Sequence, residues 1–196
     1  MPPGHKGGLP SPTFGPEIGF AKAMAKPGAR LALIKASKGG TSLSKDWTPG
    51  VKGEPKTQGP CYRMFIEAAG QATKALKDRG DAFTIKGMLW HQGESDAGST
   101  AEVYQERLTM FIARVREDLG QPDLPIVIGE VFDNGKRDSI RTAQRAAAAS
   151  MPGVKFIPAS DLKTWDNGTH FDAASQLELG KRFAEALNAP AAAPGR

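Results

Sequence analysis

The chain is predicted to be a three-layer α/β/α sandwich around a mainly parallel sheet, and three features of the sequence carry that expectation. Segments with helical apolar spacing alternate with short apolar runs along most of the 196 residues. Those runs are apolar at nearly every position, as expected of strands covered by helices on both faces. The run that closes at Trp90 passes abruptly into a polar loop, and open α/β sheets bind ligands beyond the carboxyl ends of their strands.

Taken in order, the periodicity predicts a helix over Glu17–Lys26, which Pro27-Gly28 ends, and a strand over Arg30–Lys35. A Gly/Ser/Lys/Pro-rich loop runs to Pro60, followed by a helix over Tyr62–Arg79 and a strand over Phe83–Trp90. Then come a helix over Ala101–Leu119, a strand over Pro125–Val131, and a helix with an alanine-rich face over Ser139–Ser150. A short strand over Val154–Pro158 and a helix over Ala173–Leu187 complete the pattern. Residues 1–187 are expected to form one domain, and the Pro/Ala-rich stretch 188–196 a disordered tail. There are no internal repeats.

Composition removes several function classes. Charged residues at 24% and hydrophobic ones at 39% are ordinary for a globular protein. No apolar run approaches the length needed to span a bilayer, and no charged-then-apolar leader marks a signal peptide, so the compartment stays open. The single cysteine, Cys61, excludes an internal disulfide and a cysteine-based metal cage; it is expected to be a small buried apolar residue. The net charge of +5 is uneven: 13 Lys/Arg face 5 Asp/Glu in residues 1–80, and 13 face 16 in residues 81–196. The lysines are spread over loops and helix faces without interleaved aromatics, which argues against a nucleic-acid partner.

The loops carry the chemistry. Trp90-His91-Gln92-Gly93-Glu94-Ser95-Asp96 delivers an amide and two carboxylates to a strand end, and Asp166-Asn167-Gly168-Thr169-His170-Phe171-Asp172 is expected to form the opposite wall of the site. Gly39-Gly40-Thr41-Ser42 can bring backbone N–H groups close to an anion and form half of an oxyanion hole, with the Gln92 amide as the other half. His170 is the candidate general base, because imidazole titrates near neutrality. Asp166, Asn167, Asp172 and Glu94 are the candidates to orient its ring. Trp47 and Trp165 flank the expected site and could stack on a sugar, whereas Trp90 is expected in the core. A metal centre is not expected: His91 and Glu94 need not face the same way on a strand end, and His5 lies in the leader. Nothing resembles a dinucleotide or phosphate-loop fingerprint, and no cofactor is expected.

In this order, Gly15-Pro16-Glu17, Lys38-Gly39-Gly40-Thr41-Ser42-Leu43 with Trp47, Trp90-His91-Gln92-Gly93-Glu94-Ser95-Asp96 and Asn167-Gly168-Thr169-His170-Phe171-Asp172 resemble the sialate O-acetylesterase-type branch of the SGNH hydrolases, similar to carbohydrate esterase family 6. The resemblance runs from about Gly15 to Leu187. It implies a flavodoxin-like sheet and a serine esterase that deacetylates sugars such as acetyl-xylan or sialic acid. By that resemblance Gly40 and Gln92 would be oxyanion donors, His170 the base, and Glu94 a motif acid that helps orient it.

Two departures qualify what the resemblance implies. The family carries Asp three residues before the histidine, where this chain has Asn167, so the orienting task is expected to pass to Glu94 first and Asp166 second. The family's first block, a strand ending in Gly-Gln-Ser-Asn with the nucleophilic serine, is absent, and the chain is expected to be N-terminally incomplete. The expected activity is therefore weak or absent. The alternatives are a non-catalytic remnant that binds acylated sugars, or an active esterase that recruits Ser42 or Ser95, with Ser37 and Ser44 weaker choices. The missing strand belongs inside the family sheet. Hence Arg30–Lys35 is expected either to pair directly with Phe83–Trp90 or to leave room for a strand from a second copy or an N-terminal fragment, since Met1–Pro12 is too rich in Gly and Pro to serve.

Overall fold

Local signals in the sequence mark three of the helix starts. The computed structural model describes residues 14–166 and 168–190. Within them, α1 (Glu17–Met24), α2 (Pro60–Asp78), β1 (Met88–Trp90), α3 (Ala101–Asp118), β2 (Ile126–Gly129), α4 (Asp138–Ser150), β3 (Val154–Ile157) and α5 (Ala173–Asn188) follow in order. Pro60 sits at the first helical position of α2, where its missing N–H costs nothing. The Thr100 side chain caps α3 by accepting from Val103 N, and the Asp172 carboxylate caps α5 by accepting from Ser175 N at 2.8 Å.

The strands form a parallel sheet in the order β1-β2-β3, with Met88 opposite Ile126 and Ile126 opposite Val154. α3 and α4 cover one face, where Trp90, Phe111, Ile112, Ile126 and Ile128 make the larger core cluster. α1 and α5 cover the other, over Val127, Ile157, Leu179 and Phe183. The predicted sandwich is thus present. α1 and α5 touch backbone to backbone: a Cβ on Gly180 would lie 2.1 Å from the carbonyl oxygen of Pro16, so only glycine fits there. Cys61 is buried, as its composition suggested.

The structure overturns one pair of expected strands. Residues 30–35 form no strand, and of Phe83–Trp90 only Met88–Trp90 is paired. The two stretches do not pair with each other either. Leu31, Leu33 and Ile34 are each more than 40% exposed, and Phe83 is 37% exposed. A cavity of about 1430 Å³ separates the stretches and is lined by both. The reason is that apolar content makes a strand only where a neighbour offers its backbone. The leader Met1–Pro12 with His5, the position Asn167 and the end of the expected tail lie outside the described residues.

Candidate active site

The loop after residue 38 is fixed by its own side chains. Gly40 adopts φ 66°, a left-handed conformation natural to glycine, and turns the chain into Thr41. Thr41 is held by its hydroxyl, which donates to Lys38 O at 2.8 Å and accepts from the Trp47 indole N–H at 2.9 Å. Trp47 itself is buried edge-on against Trp90 and is a packing anchor.

Asp96 clamps this loop to the end of β1. Its carboxylate, buried at 4% exposure, accepts from Leu43 N at 2.7 Å, Ser44 N at 3.3 Å and Gln92 Nε2 at 2.7 Å. Gln92 Nε2 also donates to Thr41 O at 3.0 Å, and the Tyr104 hydroxyl donates to Gln92 O at 3.0 Å. As placed, both amide hydrogens of Gln92 are therefore engaged, and the residue ties the Gly40 loop to β1 rather than presenting a donor. Among the described residues, no hydrogen bond occupies the N–H of Gly40.

On the opposite wall, the loop from Trp165 to Phe171 is organised around Asp166. One Asp166 oxygen accepts from the N–H groups of Thr169 and His170, each at 2.9 Å, and the other oxygen bonds the His170 ring at Nδ1. Trp165 lies over the His170 ring at 5.9 Å between centroids and is 45% exposed, so of the two tryptophans expected beside the site it alone offers a face to solvent. The expected order of orienting carboxylates is reversed here. Glu94 lies 4.0 Å from His91 Nε2, whereas Asp166 is bonded to His170. The Asp172 carboxylate, also a candidate, caps α5 instead. Burial acts to raise the pKa of Asp166, but hydrogen bonds from the His170 backbone and ring and from Thr169 more than offset it and hold the carboxyl below its ordinary value.

That direction fixes a pH dependence. A carboxylate whose folded pKa lies below its unfolded value stabilises the loop at pH above about 4, and the contribution is lost as pH falls through the lower folded value. Hydrogen-exchange protection of the Thr169 and His170 amides should fall on acidification below the ordinary carboxylate range. In Asp166→Asn the same amides should show no such step; a step that persists in the variant would mean another group drives it.

Sequence reasoning did not single out Arg137. It precedes α4, is 6% exposed, and donates from Nη1 to Phe132 O at 3.2 Å and Gly168 O at 2.7 Å, and from Nη2 to Thr169 Oγ1 at 3.1 Å. It clasps the His170 loop to the segment after β2. In sequence it reads as an ordinary surface charge, and no local spacing sets it apart.

Gly40, Gln92, Glu94 and His170 all line the same cavity, so segments far apart in sequence converge. Neither recruited-serine candidate is bonded to the His170 ring: Ser42 Oγ lies with Asp46 and Ser44, and Ser95 is exposed beside Glu94. Among the described residues, no group of three or more His, Cys, Asp or Glu side chains could hold a metal ion, and no helix is long and apolar enough to cross a membrane.

The chain is similar to known carbohydrate esterases. A family model described as carbohydrate esterase, sialic acid-specific acetylesterase, matches residues 5–189. A probable carbohydrate esterase of Arabidopsis thaliana is 28% identical over 179 residues, and the match takes in 88% of this chain and 62% of the relative's length. A solved structure from the same plant superimposes with a TM-score of 0.73 at 26% identity, over 90% of this chain and 70% of that one. A carbohydrate acetylesterase from Xanthomonas citri shares a partial likeness, at 24% identity and a TM-score of 0.44 over 53% of this chain and 25% of its own.

Proposed function

The chain belongs to the sialic acid-specific acetylesterase family of carbohydrate esterases, and on that premise we propose that its site is built to hydrolyse acetyl esters of sugars. The observation that supports this most is the His170–Asp166 pair standing on the same cavity as the Gly40 loop. With Asp166 at Nδ1, Nε2 is the nitrogen that would take a proton. A hydroxyl oxygen attacks the acetyl carbonyl carbon while its proton passes to Nε2. The carbonyl π pair moves onto oxygen, and the Gly40 N–H stabilises the oxyanion. Collapse expels the sugar oxygen, which takes the proton from the imidazolium, and water then hydrolyses the acyl intermediate by the same base. Gln92 contributes by holding the Gly40 loop, Asp166 orients His170, and Glu94 lines the cavity as an acid of the motif. The exposed face of Trp165 suits stacking against the sugar ring.

Ser42 Oγ is engaged with Asp46 and Ser44, which favours neither recruited serine, and a weak esterase rate is expected. Acetate release from O-acetylated sialic acid and acetyl-xylan, with 4-nitrophenyl acetate as a small ester, tests the reading. A low rate that falls further with His170→Ala and ignores Ser42→Ala and Ser95→Ala is the expected result. A robust rate abolished by Ser42→Ala or Ser95→Ala would establish a recruited serine. Saturable binding of the acetylated sugar with no rate above that of His170→Ala would make the site a binding module.

A further inference from the structure

Two buried arginines stand one turn apart at the start of α4, and their surroundings differ. Arg141 is 9% exposed and has two carboxylate partners, Glu130 at 3.0 Å and Asp133 at 2.8 Å. Arg137 is 6% exposed, yet among the described residues its hydrogen bonds go to two carbonyls and a hydroxyl and no carboxylate pairs with it. The carboxylates of the two loops it joins are committed elsewhere. Asp133 pairs with Arg141, and the Asp166 oxygens hold the Thr169 and His170 amides and the His170 ring. Bonds to carbonyls satisfy the protons of a guanidinium but do not neutralise it, and a buried cation without a counter-ion is costly.

The donors left over indicate which group would neutralise it. Nη1 gives its two hydrogens to Phe132 O at 3.2 Å and Gly168 O at 2.7 Å, and Nη2 gives one to Thr169 Oγ1 at 3.1 Å. Nε–H and the second Nη2 hydrogen meet no acceptor among the described residues. Nε is not sealed in the interior, unlike Arg114 Nε. Nε and Nη2 share one edge of the planar guanidinium, and such an edge takes a carboxylate through two parallel bonds. Thr169 Oγ1 spends a lone pair on Arg137, so its own proton remains to be donated. Arg137, Thr169 and His170 line the same cavity.

We infer that Arg137, with the Thr169 hydroxyl beside it, forms a carboxylate-binding site on the cavity wall next to His170. One cation matches one negative charge, which favours a carboxylate over a phosphate dianion, and a neutral hydroxyl would leave the guanidinium charge unanswered. An esterase site offers two sources of that group: an acid substituent on the sugar, or the acetate set free by hydrolysis. The choice between them rests on the esterase reading, whereas the site itself rests on the geometry of Arg137 alone.

The full chain is titrated with sodium glucuronate, sodium acetate and glucose at constant ionic strength, and the Arg137 Nε–H and the Gly168 and Thr169 amide resonances are followed by NMR. Saturable shifts with a carboxylate and none with glucose are the expected result. Tighter binding of glucuronate assigns the site to an acidic sugar; acetate binding as tightly or more so assigns it to the released product. Arg137→Gln, which removes the charge, should weaken carboxylate binding at least about tenfold, and Arg137→Lys should keep part of it. Thr169→Glu keeps Arg137 but supplies an internal carboxylate, so it should abolish binding of the added ones with an unchanged circular dichroism spectrum, even if Arg137→Gln fails to fold. The inference is overturned by an equal response to glucose, by Arg137→Gln binding as tightly as the unaltered chain, or by no saturable binding. These readouts report binding rather than turnover, so failure of the esterase reading would leave them standing.

Discussion

Asp96→Ala is expected to lower the unfolding free energy by about 3–5 kcal/mol, because two buried donors and one half-buried donor lose their acceptor at once. The carboxylate serves Leu43 N, Ser44 N and Gln92 Nε2. A buried donor left unsatisfied costs about 1–3 kcal/mol, and water entering from the adjacent cavity recovers part of the sum. Urea denaturation would show a lower midpoint with an unchanged slope. A loss below about 1 kcal/mol would mean that the loop finds other acceptors. Because the same carboxylate fixes the Gly40 loop, amide resonances from Lys38 to Ser44 should broaden well before the molecule unfolds.

Glu130→Ala should be of similar size. Glu130 follows β2, is fully buried, and accepts from Arg141 at 3.0 Å, from Arg145, and from Ala159 N at 2.9 Å. Removing it leaves the Arg141 guanidinium, 11% exposed, with only the partly exposed Asp133 as counter-ion. Breaking a buried pair on one side costs about 3–5 kcal/mol, since the surviving charge stays desolvated. Glu130→Gln should recover part of the loss, because it still accepts one N–H. Thermal unfolding of both variants beside the wild type decides the matter: a Glu130→Gln midpoint equal to that of the wild type would deny the charge any role.

The sequence made the helices legible because amphipathic spacing and capping residues act locally. Pro60, Thr100 and Asp172 mark the starts of α2, α3 and α5 within a few residues of expectation. β2 and β3 were legible for a related reason: an apolar run between two helical segments has nowhere to go but the layer between them. Residues 30–35 carry the same signal and form no strand, because pairing is a property of neighbours that a run of side chains cannot report. In the site, His170 and the Gly40 loop stood out through residue type and glycine content. Asp166 is expected only after Glu94 because Asn167 holds the place where the resemblance puts the orienting Asp, whereas the bond to the ring depends on how the loop curls around the Asp166 carboxylate. Asp96 read as chemistry and acts as a clamp, and Gln92 read as a donor and is already engaged. A motif shows which polar groups congregate, but not which of them are spent on one another.

The cavity beside β1 also divides the molecule into parts of unequal cooperativity. The sheet, α3, α4 and α5 share continuous cores on both faces. α2 is anchored chiefly at its start, where Cys61 and Tyr62 are buried and the Tyr62 hydroxyl donates to Asp118 at 2.8 Å. Farther along, Ala69, Thr73 and Leu76 border the cavity. Few apolar contacts and unpaired neighbouring backbone are the conditions under which a segment opens without global unfolding. By that criterion the second half of α2, together with residues 79–87, is expected to open at a lower free energy than the sheet and α3–α5, which hydrogen exchange would show as weaker protection.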